Sequence, residues 1–170
     1  YARALEKAIT RILPEIAPEL SPELFPEMTA ANPAAGYTVA FGGGTPSRLE
    51  SGSLLRSITL LRDALGPAWE RSIEANPDDV TAETASAWKS AGVTRLTIGV
   101  QSLDDAVLQT LGRVHDAARV EAAIVLAARA GFSNLGIDLI FGLPGQSDES
   151  ARHDLAISMR WPIAHLSNYA

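Results

Sequence analysis

The sequence predicts an α/β fold built around a parallel sheet. Five short apolar runs alternate with segments of helical periodicity, and the helix-to-strand junctions Ala91-Gly92-Val93 and Ala130-Gly131-Phe132 look alike. Strands that alternate with helical segments are typical of β-α-β units, in which neighbouring strands run parallel. The predicted strands span residues 37–42, 70–75, 95–101, 134–141 and 163–169.

The composition is that of one globular domain. Of the 170 residues, 46% are apolar and 20% are charged, which is enough apolar material for one core. The net charge of −6 is spread along the chain, so nothing indicates a nucleic acid or an anionic membrane as partner. No window approaches the roughly 18 consecutive apolar residues of a membrane span, and no signal peptide is visible, so we expect a cytoplasmic protein. Cysteine is absent, which excludes disulfides and thiolate metal sites within this chain.

Residues 1–36 are expected to form a helix followed by a loop rich in Pro-Glu. Leu5, Ile9 and Ile12 share one helical face, and Pro14 ends the helix because proline lacks an N–H group. Pro-Glu then recurs every four residues up to Pro26, which favours an exposed, semi-extended connection. Residues 37–170 are expected to form the core of the same single domain. Because the chain begins without Met and stops within a predicted strand, we expect a fragment of a longer protein.

The helices between the strands are predicted from their caps and apolar spacing. Leu54, Ile58, Leu61 and Leu65 line one helical face, and Gly66-Pro67 ends that helix. Further helices are predicted from the Thr81 cap to Ala91-Gly92, from Asp104 to Leu111, from Asp116 to Ala130-Gly131, and from the Ser147 cap to about Arg160.

Polar residues stand at the carboxyl end of each predicted strand. In strand order they are Gly42-Gly43-Gly44-Thr45, Glu74, Gln101, Asp138 and, on the fifth strand, His165, Ser167 and Tyr169. The first four positions are separated by about one β-α unit of ~30 residues. Because the carboxyl ends of parallel strands meet at one edge, we expect these groups to converge on one mouth.

The chemistry of these groups suits a nucleoside that bears an amino acid. Glycine, without a Cβ, lets the backbone touch a ligand, whereas ionised Glu and Asp accept hydrogen bonds from ribose hydroxyls or an ammonium group. A glutamine amide both donates and accepts. Arg113, after the helix that follows Gln101, carries the paired N–H groups that bind a carboxylate.

Simpler structural explanations remain open for most of these residues. The glycine triplet also suits a plain tight turn, and its context matches neither the dinucleotide fingerprint nor the phosphate loop. Glu74 could cap a following helix, and Gln101 could satisfy backbone groups at a strand end. Asp138 lies inside the apolar run from Leu135 to Phe141, where a carboxylate needs partners.

The sequence contains three histidines. His115 and His153 are expected at helix ends or on the surface rather than in a ligand site. His165 stays open between a core residue and a ligand, because histidines in strands are often satisfied within the core.

Six segments carry recognisable motifs. They are FGGGTPS (41–47), IEANP (73–77), RLTIGVQSLDD (95–105), LGRVH (111–115), DLIFGLPGQ (138–146) and HLSNY (165–169). Together, over about residues 37–170, they resemble the oxygen-independent coproporphyrinogen III oxidase family of radical S-adenosylmethionine (SAM) proteins.

The resemblance implies a partial (β/α)₆ TIM-like barrel that binds SAM at its mouth. The chain would be truncated, without the first strand and the C-terminal part of that barrel. By analogy, Gly43, Gly44 and Thr45 would contact the methionyl part of SAM, and Glu74 would bind a SAM molecule near them. Gln101, Arg113 and Asp138 would provide the remaining contacts to SAM. In the oxidase, the matching residues would contact a second SAM molecule. The resemblance assigns no catalytic and no metal-ligating residue within these 170 positions.

The family also implies cofactors that this chain cannot hold alone. Its [4Fe-4S] cluster sits on a Cys-x₃-Cys-x₂-Cys loop upstream of the glycine triplet, and this chain has no cysteine. We therefore expect the cluster only in a full-length parent and expect this chain alone to be catalytically silent.

The residues of these motifs favour one branch of the family. They resemble the heme chaperone branch, whose members bind heme and pass it to apoproteins. The alternative is the oxidase, which decarboxylates two propionates of coproporphyrinogen III. Two further alternatives are a cysteine-less barrel that binds a nucleotide or sugar phosphate, and an inactive fragment with an exposed sheet edge. The heme-binding motif of the chaperone branch would lie beyond residue 170.

Overall fold

The computed structural model describes residues 7–12, 38–49, 51–65 and 70–170. Residues 7–12 are helical (α1), in agreement with the predicted N-terminal helix. The Pro-Glu segment and the Gly66-Pro67 stop lie outside the described residues.

The remaining elements alternate along the chain as the sequence predicts. They are β1 (Thr38–Phe41), α2 (Ser51–Leu65), β2 (Glu70–Ala75), α3 (Ala82–Ala91), β3 (Arg95–Gln101), α4 (Asp105–Thr110), α5 (Ala117–Arg129), β4 (Asn134–Ile140), α6 (Asp148–Ser158) and β5 (His165–Tyr169). Short 3₁₀ turns at Pro46–Arg48 and Pro77–Asp79 follow β1 and β2.

The five strands form one parallel sheet in the order β1-β2-β3-β4-β5. Strand order therefore follows chain order without a reversal. A doubly wound sheet reverses its order at a switch point, whereas a barrel wall does not. The predicted α/β class is confirmed, and the winding is that of part of a barrel.

The two faces of the sheet differ in character. Ile73, Ile98 and Ile137 have no exposed surface and belong to the core that also contains side chains of α2, α3 and α5. Because side chains alternate along a strand, the neighbouring positions Glu74, Thr97 and Asp138 lie on the opposite face. That face is partly accessible, and it carries the polar groups.

The predicted helix caps are present. Thr81 accepts a hydrogen bond from the Thr84 N–H in a capping box, and Gly92 ends α3 with a φ of 101°. Asp104, Asp116 and Ser147 each accept a backbone N–H from the first turn of α4, α5 and α6.

Several element ends differ from prediction by one or two residues, as in β1, which ends at Phe41 rather than at residue 42, and α4, which spans Asp105–Thr110 rather than 104–111. β4 ends at Ile140 because Gly142, with a φ of 73°, turns the chain away. α6 ends at Ser158, and β5 begins at His165, because Pro162 and a tight turn from the Ile163 N–H to the Trp161 carbonyl intervene. In the part of the chain that the structure describes, none of the helices has the length and apolar character needed to cross a bilayer.

Candidate functional site

The carboxyl ends of β1 to β4 surround a cavity of about 170 Å³. Six of the seven residues that the sequence predicts as binding residues line it: Gly44, Thr45, Glu74, Gln101, Arg113 and Asp138. Gly43 does not line this cavity, but it lines a larger neighbouring cavity of about 690 Å³ that also borders Gly44, Thr45 and Pro46. The predicted convergence on one mouth is therefore present, whereas the ligand that occupies it remains a prediction.

The glycine triplet forms a tight turn that leaves open space. Gly43 and Gly44 have φ values of 83° and 58°, in the left-handed region that favours glycine. A Cβ at either position would meet no other heavy atom within 4 Å. The need for glycine here is therefore conformational, and a ligand can approach the backbone of the turn freely.

The side chain of Glu74 fills the space beside Gly42. Its Oε1 atom lies 3.0 Å from where a Cβ on Gly42 would stand. The alternative that Glu74 caps a helix is wrong, because Asn76 precedes the 3₁₀ turn after β2 and Thr81 caps α3. Glu74 is exposed and available to a ligand at the mouth.

Gln101 ends β3 in a strained conformation. Its φ of 70° is the only positive value of a non-glycine residue in the ranges that the structure describes. The ladder with β4 shifts between Gly99 and Gln101, as in a β-bulge. Bulges re-aim side chains and are frequent beside active sites, and backbone strain of this kind clusters at functional positions. The Gln101 amide lies back over Gly99, with Nε2 2.8 Å from where a Cβ on Gly99 would stand.

Asp138 is partly buried in the middle of the polar face. It pairs in register with Gly99 on β3 and with Ser167 on β5. Burial raises the pKa of Asp138, while a hydrogen bond with Ser167 and the nearby charges of His165 and Arg95 partly counteract the rise. Ser167 is therefore the hydrogen-bond partner that Asp138 requires within its apolar run. His165 is exposed and is not a core residue.

Arg113 is held by a residue that sequence reasoning missed. Its Nη1 donates to Oδ1 of Asn76 at 3.3 Å, and Asn76 also lines the cavity. Ser47 joins the tips of β1 and β2, because its Oγ donates to Asp79 at 2.6 Å and accepts the Asn76 N–H at 3.3 Å. Ser47 and Asn76 belong to the motifs FGGGTPS and IEANP, so their place in these motifs was the sequence signal that could have identified them as residues of the site.

His115 lies at a helix end, as the sequence predicts, but it is buried rather than on the surface. It precedes the N-cap of α5, yet only 5% of it is exposed. Its Nε2 lies 3.4 Å from the Val100 carbonyl oxygen, and its Nδ1 lies 4.0 Å from Oδ2 of Asp78. These contacts place His115 beside the carboxyl ends of β2 and β3. His153 is exposed, as expected.

Comparison with known proteins decides the family. Residues 10–156 match the model of the Radical SAM superfamily. The chain belongs to that superfamily. This confirms the resemblance that the six motifs indicate.

Relatives within the superfamily are named for heme metabolism. The chain is 38% identical to the heme chaperone HemW of Bacillus subtilis over 136 residues, which are 78% of this chain and 36% of the relative. It is 38% identical to HemW of Escherichia coli over 134 residues, or 78% of this chain and 35% of that protein. The radical SAM chain thus spans about a third of the length of these relatives.

A solved structure confirms the fold. The chain superposes on coproporphyrinogen III oxidase (HemN) from Escherichia coli, described as a radical SAM enzyme, with a TM-score of 0.69 and 31% identity. The match covers 78% of this chain and 32% of that one.

Proposed function

We propose that this chain supplies part of the SAM-binding mouth of a heme-metabolism protein, and that the whole protein is a heme chaperone. The observation that carries the proposal is the single cavity at the ends of four strands, which joins a glycine turn, two carboxylates, an amide and a guanidinium. The supporting comparison is the 38% identity to proteins named heme chaperone HemW.

The donor set of this cavity fits SAM. The open turn at Gly43 and Gly44, of which Gly44 lines the cavity, offers backbone groups to the aminocarboxylate. Arg113 offers paired N–H groups to the carboxylate. Glu74 accepts hydrogen bonds from an ammonium group or ribose hydroxyls, as does Asp138 when ionised. Small-molecule sites typically enclose about 300–1,000 Å³. The cavity of about 170 Å³ therefore holds part of a SAM molecule rather than all of it.

The residues of this chain do not fit a [4Fe-4S] cluster. The 170 residues contain no cysteine to supply thiolate ligands. The described residues also hold no group of three or more His, Asp or Glu side chains placed to bind a metal. The proposal therefore assigns to this chain only the binding and orientation of SAM, and it places any cluster ligands elsewhere in a full-length parent.

For the whole protein, we propose heme binding and transfer to apoproteins, with heme and heme-accepting apoproteins as partners in the cytoplasm. The alternative is oxidation of coproporphyrinogen III, which the structural likeness to HemN favours. Both candidate functions would use the same SAM-binding mouth. They differ in the tetrapyrrole, because the chaperone binds heme and transfers it, whereas the oxidase decarboxylates coproporphyrinogen III.

The two functions are separated on the intact, reconstituted protein without oxygen. A chaperone binds heme in an absorbance titration, passes it to an apoprotein, and leaves coproporphyrinogen III unchanged in the presence of SAM and a reductant. Decarboxylation of coproporphyrinogen III without heme transfer would contradict the chaperone and support the oxidase.

A further inference from the structure

A carboxylate outside the cavity holds the loop that follows Gln101. Asp154 lies on α6, and only 2% of it is exposed. Its Oδ2 accepts a hydrogen bond from the Ser102 hydroxyl at 2.7 Å, and its Oδ1 accepts the Leu103 N–H at 3.1 Å. A buried carboxylate is stable only with such partners, and here two of them directly follow the strained residue.

The same carboxylate also contacts the loop after β4. The Gln146 amide lies 3.4 Å from Oδ2 of Asp154 and donates to the Ile140 carbonyl at 3.3 Å. Asp154 therefore connects the end of β3, which carries Gln101, with the end of β4, which carries Asp138.

The loop is fixed from its other side as well. The Asp104 N–H donates to the Ser102 hydroxyl oxygen at 3.1 Å, and the Ser150 hydroxyl of α6 donates to Asp104 at 3.0 Å. The Ser102 N–H is held by the Val100 carbonyl at 2.9 Å. A non-glycine residue keeps a left-handed conformation only when its surroundings impose it, and these bonds impose it on Gln101.

We propose that Asp154 is a positioning residue that fixes the Gln101 amide in the binding mouth by anchoring the backbone of residues 102–103. The proposal rests on the proposed function, in which Gln101 binds SAM. Asp154 does not line the cavity, so it acts on a ligand through Gln101.

The test is a double-mutant cycle on SAM affinity, measured by calorimetry with the intact protein. Asp154→Ala and Gln101→Ala are each expected to weaken SAM binding about ten-fold, the equivalent of one lost hydrogen bond. If Asp154 acts through Gln101, the double variant loses no more than either single variant. A purely structural role would instead give losses that multiply.

Two further variants control for stability. Asp116→Ala removes the helix cap of α5 and leaves SAM affinity unchanged, because Asp116 is outside the cavity. Asp154→Asn retains an acceptor for the Leu103 N–H and is expected to recover part of the affinity. Should Asp154→Ala fail to fold, Ser102→Ala removes the same hydroxyl contact and takes its place in the cycle.

Amide hydrogen exchange tests the anchoring of residues 102–103 in the absence of SAM. Amide hydrogen exchange at Leu103 is expected to become faster in Asp154→Ala and to stay unchanged in Asp116→Ala. Unchanged SAM affinity in Asp154→Ala, beside a loss in Gln101→Ala, overturns the positioning role and leaves the proposed function standing. A wild-type protein that does not bind SAM overturns both.

Discussion

Replacing Gly99 by alanine should weaken SAM binding and leave the free energy of unfolding nearly unchanged. A Cβ at this position would stand 2.8 Å from Nε2 of Gln101 and 3.8 Å from the Ala75 carbonyl oxygen. Only the first distance is too short, and it involves the end of a flexible side chain. Gly99 is not among the glycines with positive φ, so alanine fits the backbone. The Gln101 amide must therefore move while the strand stays in place.

The size of both effects follows from these contacts. Alanine gains about 0.4–1 kcal/mol by restricting the unfolded chain, and a displaced Gln101 rotamer costs about 0.5–1.5 kcal/mol. The free energy of unfolding should thus change by less than ~1 kcal/mol. Loss of one hydrogen bond from Gln101 to SAM weakens binding by roughly 1–1.5 kcal/mol, or about ten-fold.

Calorimetric titration with SAM and urea unfolding measure the two effects on the intact protein. Gly136→Ala is the matched control, because its Cβ would stand 3.0 Å from Oγ1 of Thr97 and Gly136 does not line the cavity. The control should bind SAM as the wild type does. Unchanged SAM affinity in Gly99→Ala, or an equal loss in both variants, would refute the reasoning.

Three further predictions concern single side chains. Glu74→Gln should weaken SAM binding about ten-fold by calorimetry, because a charged acceptor contributes roughly 1.5–3 kcal/mol and the amide keeps part of it; full affinity would exclude Glu74 from the site. Asp116→Ala should lower the free energy of unfolding in urea by about 1 kcal/mol through loss of the α5 cap, and an unchanged value would show that the cap contributes nothing. Burial raises the pKa of Asp138 above 3.8, so the folded state binds more protons than the unfolded state, and stability from this group falls as pH rises through its raised pKa. Asp138→Asn should therefore gain stability relative to wild type as the pH rises above the ordinary range for aspartate, and a pH-independent difference would contradict the raised pKa.

The sequence predicted the fold and the convergence of the site because both depend on local patterns. The bounds of β2 and β3 agree with prediction because buried and accessible residues alternate cleanly along each strand, and because a polar residue, Glu74 or Gln101, lies at or next to the carboxyl end. Because the strands are parallel, their carboxyl ends lie at one edge of the sheet. This places Glu74, Gln101 and Asp138 together at that edge.

The supporting contacts could not be predicted, because they join distant positions. Asp154 follows Arg152 and His153 on a polar helix, and only the fold reveals that its partner Ser102 lies 52 residues away. The left-handed backbone of Gln101 has no local signature either, since glutamine rarely adopts it. The burial of His115 could not be predicted for the same reason, because its contacts to Val100 and Asp78 join positions that are distant in the sequence.

The most direct measurement is a crystal structure of the intact protein with SAM. We expect the aminocarboxylate of SAM against the turn at Gly43–Thr45, a hydrogen bond from SAM to the carboxylate of Glu74, and a hydrogen bond between SAM and the Gln101 amide. SAM bound away from the carboxyl ends of β1 to β4, or an ordered mouth that stays empty at saturating SAM, would contradict the proposed site.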